Sequence, residues 1–149
     1  MTTEDLAEGK VGTQLVGYLQ SHPDVDYVVF TVGDLATGVL PGLKSAGISP
    51  SDVKLLAAVE NAEVQEAIKN GDFSAATTSP NAYLGMTEID AMARLALDGE
   101  LSGAYQESIY NEMPTWVVDS PEAVKQLGGE LWEGPENFEQ QFEELWGVR

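Results

Sequence analysis

The stretch that most constrains this chain runs from His22 to Gly47, HPDVDYVVFTVGDLATGVLPGLKSAG. Pro23 follows a helical pattern and acts as its stop signal. Tyr27-Val28-Val29-Phe30 is a short apolar run of β-branched and aromatic residues, which predicts a strand covered on both faces. Val32-Gly33-Asp34 then turns the chain, and Asp34 is placed to cap the helix that follows. Gly47 closes that helix, as a glycine past a C-terminus does. A strand that ends in a polar turn at a helix N-terminus is where open α/β sheets hold their ligands. The fold question therefore becomes whether this unit repeats.

It does. Val11, Leu15, Tyr18 and Leu19 recur at helical spacing, so residues 10–21 are predicted as an amphipathic helix. After the first strand, residues 35–45 read as a helix carrying Leu35, Val39, Leu40 and Leu43, with a kink or loosened turn expected at Pro41-Gly42. VKLLAAV, residues 53–59, is the second strand, and Glu60-Asn61 is its turn. Residues 62–70 form a short helix, and FSAATT, residues 73–78, is the third strand. Ser79-Pro80 breaks the chain, and Asn81 is placed to cap a long helix to Leu97 that carries Leu84, Ile89, Met92, Ala93 and Ala96. Strand starts 26 and 20 residues apart, with helices between, predict a parallel sheet with right-handed crossovers and flanking helices, an α/β fold of three αβα layers. Beyond Gly103 the pattern changes. Residues 104–110 and 115–119 are candidate strands around Met113-Pro114. Ser120-Pro121-Glu122 starts a helix with proline in its first position. Residues 136–146 form a terminal helix with Phe138, Phe142, Leu145 and Trp146 on one side, a docking face.

Charge and composition exclude several functions. With 25 acidic and 7 basic residues among 149, the net charge is −18, a surface that repels phosphate backbones and argues against nucleic-acid binding. No cysteine is present, so disulfides and thiolate metal sites are excluded. No calcium-loop pattern occurs, and neither glycine-rich nucleotide motif is found at the turns. The single histidine, His22, sits where a helix ends, which explains it without catalysis. With one histidine, no cysteine and no nucleophile-elbow motif, an enzyme is not expected. No cofactor is implied. No apolar run is long enough to span a membrane, and the N-terminus carries no signal-peptide pattern.

The order of residues resembles a known family. The stretch from His22 to Gly47, then DVKLLAAVENAEVQEAIKNGDFSAATTSP, then YLGMTEIDAMARLALDGEL, is similar to the later part of type I periplasmic-binding proteins, the sugar-binding components of bacterial ABC transporters, ribose-binding proteins among them. MPTWVVDSPEAV and FEQQFEELWGV resemble the closing strand and terminal helix of that sugar-transport branch. The resemblance covers nearly all of the chain. It implies two α/β lobes that close on a small molecule, with this chain supplying only the C-terminal portion: residues 1–79 as the second half of the C-terminal lobe, 80–112 as the return helix and strand of the other lobe, and 113–149 as the closing strand and C-terminal helix. It implies a sugar or similar small polar ligand, an ABC transporter permease as partner, and a periplasmic or extracellular location. The alternative on the same fold is the ligand-sensing domain of a lactose-repressor-type regulator or receptor.

Carried over position by position, the resemblance places ligand contacts at Val32, Gly33 and Asp34, at Val59, Glu60 and Asn61, and at Ser79. The chain departs from the family at each turn, because Val32 and Val59 stand where polar side chains are common and cannot hydrogen-bond a sugar hydroxyl. Asp34, Glu60, Asn61 and Ser79 are the remaining polar candidates. Each has a structural role open to it as well: a helix cap for Asp34, turn and cap for Glu60 and Asn61, a hinge for Ser79. Half a two-lobed protein is expected to bind ligand weakly or not at all. It is also expected to form a homo-oligomer, by swapping elements or by joining sheet edges at residues 27–30.

Overall fold

The computed structural model describes residues 9–111, 113–128 and 131–148. These divide into two compact units. One comprises Met1–Thr78 with Val117–Leu131, the other Ser79–Trp116 with Trp132–Arg149.

The first unit is built on a sheet. Strands β1 (Tyr27–Phe30), β2 (Lys54–Ala57), β3 (Ala75–Thr78) and β4 (Trp116–Val118) lie side by side in chain order. The β1–β2 and β2–β3 ladders are parallel, with Val29 opposite Leu56 and Leu56 opposite Ala75. Helices α1 (Val11–Ser21), α2 (Val39–Ser45) and α3 (Ala62–Lys69) flank it in the alternating order that parallel pairing requires. Phe30, Leu55, Ala57 and Ala76 bury their side chains against Leu19, Val39, Leu43, Val64 and Ile68. Val39 and Val64 are almost wholly enclosed, and burial of each stabilises the fold by about 1.5–3 kcal/mol. Two glycines let α1 and α2 touch closely. A Cβ on Gly12 would stand 3.3 Å from the Gly38 carbonyl and from Val39 Cα, and one on Gly42 would lie 3.7 Å from the Gly12 carbonyl.

Several expectations are corrected here. The helix after β1 does not begin at Leu35. Gly33–Ala36 forms a 3-10 turn, Gly38 adopts a left-handed conformation at φ +72°, and α2 begins only at Val39. Pro41 is then the third residue of the helix, where its missing N–H falls among amides that have no helical partner anyway, so no kink is needed. Asp34 lies inside the 3-10 turn and caps no helix; the preceding Val32 contributes no side-chain cap either. The first strand is not covered on both faces: Val28 and Phe30 point inward, while Tyr27 and Val29 are 67% and 65% exposed. Strands β2 and β3 are shorter than predicted: β2 ends at Ala57, where the chain enters its turn, and β3 begins only at Ala75.

The second unit is helical: α4 (Asn81–Asp98), α5 (Gly103–Asn111) and α7 (Phe138–Trp146). The intervening helix α6 (Pro121–Gln126) belongs to the first unit. It is capped by Ser120, whose hydroxyl accepts from the Ala123 amide, with Pro121 at its start as predicted. Residues 104–110 are therefore helical, not a strand. Ser102 starts that helix, its hydroxyl accepting from the Tyr105 amide at 3.2 Å and its carbonyl from the Gln106 amide. Asn81 does not cap α4, because Pro80 takes that position and Asn81 is already helical. The apolar residues that α4 carries are not the ones it buries. Ile89 and Met92 are 52% and 62% exposed, and the residues it buries are Thr87 and Asp90.

Asp90 is the hub of this unit. Its Oδ2 accepts from Arg94 Nε at 2.7 Å and from the Tyr105 hydroxyl at 2.7 Å, and its Oδ1 accepts from Trp146 Nε1 at 3.0 Å. One carboxylate thus ties α4 to α5 and α7. Around it Tyr83 packs on Phe138 and Phe142, each with ring centroids 5.9 Å away, so the aromatic stripe of the terminal helix docks within this unit. Burial by itself pushes the Asp90 carboxyl up. The hydrogen bonds from Arg94, Trp146 and Tyr105, with the Arg94 charge, outweigh it and hold the group below its ordinary 3.8. Tyr105 is pushed up to about 12, by burial first and then by donating to Asp90. Among the described residues no helix is long and apolar enough to cross a membrane.

Two outcomes are expected. Replacing Asp90 with Ala leaves three donors without their acceptor, so this unit is expected to lose about 3 kcal/mol, read as a lower urea midpoint of Trp fluorescence. A carboxylate with a depressed folded pKa stabilises above its unfolded value and loses that contribution as pH falls through the folded one. The wild-type midpoint should therefore hold steady above pH 3.8 and fall below it more steeply than that of Asp90→Ala. The second outcome concerns β1, whose outer edge pairs with no described strand. Sedimentation velocity is expected to show concentration-dependent association that Val29→Lys weakens; a monodisperse monomer throughout would contradict this.

Candidate ligand-binding site at the strand ends

The parallel register carries the turns after β1 and β2 to the same end of the sheet. They are fastened together there. The Gly33 amide donates to the Val59 carbonyl, which extends the ladder one step past the strands. Contact is so close that a Cβ on Gly33 would stand 2.7 Å from the Val59 oxygen and 2.9 Å from the Asn61 nitrogen. Both are backbone atoms, so neither yields. The Glu60 amide donates in turn to the Thr77 carbonyl at 3.0 Å, which fixes the second turn to the end of β3.

Asn61 joins the side chains. Its Oδ1 accepts from the Val64 amide at 2.9 Å and caps α3, the structural role open to it. Its Nδ2 donates to Asp34 Oδ1 at 3.1 Å and to Thr37 Oγ1 at 3.4 Å. Glu63, in the first turn of α3, accepts from the Gly38 amide at 3.0 Å. Asp34 is thus held at the mouth of the site with its carboxylate exposed, by an amide that also anchors a helix.

Glu60 is different. It is only 6% exposed, and its Oε2 is buried with no hydrogen-bond partner among the described residues. Thr78, the last residue of β3, is fully buried, and its Oγ1 also lacks a partner. Leaving a buried polar atom unpaired costs about 1–3 kcal/mol, more for a charge. Two such atoms at the ends of adjacent strands mark a place where the fold withholds its own partners.

Six of the seven expected site residues therefore belong to the first unit, and five of them meet by direct bonds or packing: Gly33, Asp34, Val59, Glu60 and Asn61. Val32 is exposed beside them and contributes no polar group. Ser79 falls in the second unit, half-buried, with its carbonyl accepting from the Asn81 amide at 3.0 Å, which is turn geometry. Thr37, Glu63 and Thr78 are additions that sequence reasoning missed. Of these only Thr78 carried a signal, as a polar residue in the inward phase of an alternating strand. Among the described residues no three His, Asp or Glu side chains cluster as metal ligands do.

No family profile and no curated protein matches the chain. Solved structures do. A protein from Mycobacterium smegmatis superposes with a TM-score of 0.54 at 18% identity, over 93% of this chain and 42% of that one. A galactofuranose binding protein superposes at 0.60 and 16% identity, over 81% of this chain and 40% of its own. A Mycobacterium smegmatis structure in complex with β-D-fucofuranose superposes at 0.59 and 20% identity, over 90% and 40%. At such identities the likeness shows the fold alone. That fold is α/β, a sheet with flanking helices in an αβα arrangement, shared with these structures. The chain spans 40–42% of the length of these structures.

The close approach at Gly33 gives a direct test. Gly33→Ala is expected to separate the two turns and cost about 1–3 kcal/mol, seen as a lower urea midpoint. Gly17→Ala, where a Cβ meets nothing within 4 Å, should not lower it.

Proposed function

We propose that this chain forms one wall of a sugar-binding site in the solute-binding component of an ABC transporter. The role is to bind rather than to catalyse. The observation that carries this reading is the buried Glu60 carboxylate, one oxygen of which lacks a protein partner at the end of a parallel strand. A polyhydroxylated ligand supplies the donors such a group needs, and a site built to pair with hydroxyls rejects ligands that lack them. The fold supports it, since structural neighbours include a galactofuranose binding protein and a protein holding β-D-fucofuranose. In this reading Asp34 and Asn61 bind at the rim, Glu60 and Thr78 at the floor, and Val32 and Val59 offer apolar contact to a sugar face. Residues 80–112 serve the opposing lobe, Ser79 lies at the passage between the two, and the permease is the partner in the periplasmic or extracellular space.

Isothermal titration of the 149-residue chain against galactofuranose, fucofuranose, galactose, ribose and a nucleoside tests it. Weak binding of at least one sugar is expected, with a Kd of about 1 mM or roughly −4 kcal/mol, and Glu60→Ala should weaken it at least about tenfold, the loss of one charge-assisted hydrogen bond. Because Glu60 and Thr78 both lie within this chain, binding is expected of it where the half-site argument by itself also allowed none, and silence across the panel would overturn the reading.

A further inference from the structure

The charge of the strand-end site narrows the ligand further, on the proposal that the site binds sugars. Two carboxylates, Asp34 and Glu60, stand at the turns after β1 and β2. The segments that form the site, residues 31–38, 58–63 and 77–78, contain no lysine and no arginine, and add a third acid, Glu63. Asp34 receives one side-chain hydrogen bond from Asn61, an amide that brings no charge. Glu63 is occupied by the Gly38 amide. Glu60 Oε2 receives nothing and is shut off from water, and Thr78 Oγ1, an independent group on the next strand, is likewise buried without a partner.

We infer that the ligand is an aminated sugar, whose ammonium group pairs with the Glu60 carboxylate while its hydroxyls donate to Asp34. An isolated buried carboxylate is among the most expensive groups a fold can hold, and a positive charge offsets that cost where a neutral hydroxyl offsets only part of it. An ammonium supplies both the hydrogen-bond donor and the countercharge, and such charge-assisted bonds are about twice as strong as neutral ones. A ligand carboxylate or phosphate meets the opposite: two acidic groups, no basic side chain in the turns, and a net charge of −18 across the chain. Gly33 holds the two turns close through its contact with Val59, so Asp34 and Glu60 keep a fixed spacing.

Galactosamine, N-acetylgalactosamine, galactose and galacturonate share one ring and differ in charge, so titration of the full chain with each at neutral pH tests the inference. Galactosamine is expected to bind about tenfold tighter than galactose. N-acetylgalactosamine, which keeps the nitrogen but not the charge, should fall back to the level of galactose or below, and galacturonate should not bind. Glu60→Gln should bring galactosamine down to galactose, and Asp34→Asn, whose carboxylate is exposed and screened, should reduce the preference less. If Glu60→Gln fails to fold, the N-acetyl comparison on the wild-type chain still decides. Equal binding of galactose and galactosamine, or binding of galacturonate, overturns the amine preference and leaves sugar binding standing. Binding of none of the four, together with silence across the wider sugar panel, overturns both.

Discussion

The functional end of this molecule depends on one backbone contact. The Gly33 amide reaches the Val59 carbonyl, and no side chain fits between them. Parallel pairing brings the ends of β1 and β2 to one edge, but two turns at one edge are not yet a site. The extra ladder bond makes them one body. Asn61 can then reach Asp34 while it caps α3, and Glu60 is pressed into a buried position beside β3. A larger residue at position 33 would push the turns apart and open Glu60 to water, and with water as its partner the carboxylate would have no need of a ligand.

The two units are stabilised by different physics. The first rests on aliphatic burial between a parallel sheet and its helices, with glycines at 12 and 42 setting how closely α1 and α2 pack. The second is organised by a charge, Asp90, which collects Arg94, Tyr105 and Trp146 from three helices. Both units contain a buried carboxylate, and the contrast between them is informative. Asp90 is fully supplied with donors and so ties helices together. Glu60 has an oxygen left over, so the same chemistry that makes Asp90 structural makes Glu60 available to something else.

Much of the fold was legible in the sequence because strand and helix periods differ and parallel strands are apolar in runs. YVVF, KLLA and AATT stood out between helical segments, and the capping roles of Asn61 and Ser120 followed from their hydrogen-bonding chemistry. The errors share a cause. The buried side of α4 was not legible, because it is set by the hydrogen bonds that Asp90 accepts and not by Ile89 and Met92, a tertiary effect that periodicity does not carry. Residues 104–110 looked strand-like because Tyr and Ile favour strands, but Ser102 starts a helix and Tyr105 is held by Asp90. Asp34 was a plausible cap until the 3-10 turn displaced α2 by four residues. For the site, the resemblance named the turns, and the residues themselves gave only candidates. That Glu60 would be buried and short of a partner while Asn61 would be fully used depends on how the turns pack, which is not written in either turn alone.

Backbone amide shifts of the ¹⁵N-labelled chain during titration with galactosamine test the central claim most directly, because they report where a ligand binds as well as whether it does. The account requires saturable perturbations concentrated at residues 32–34, 59–61 and 77–78, with the largest at Glu60 and its neighbours. Perturbations confined to the opposite end of the sheet, around His22 and Asp52, or no perturbation at any residue, would contradict it.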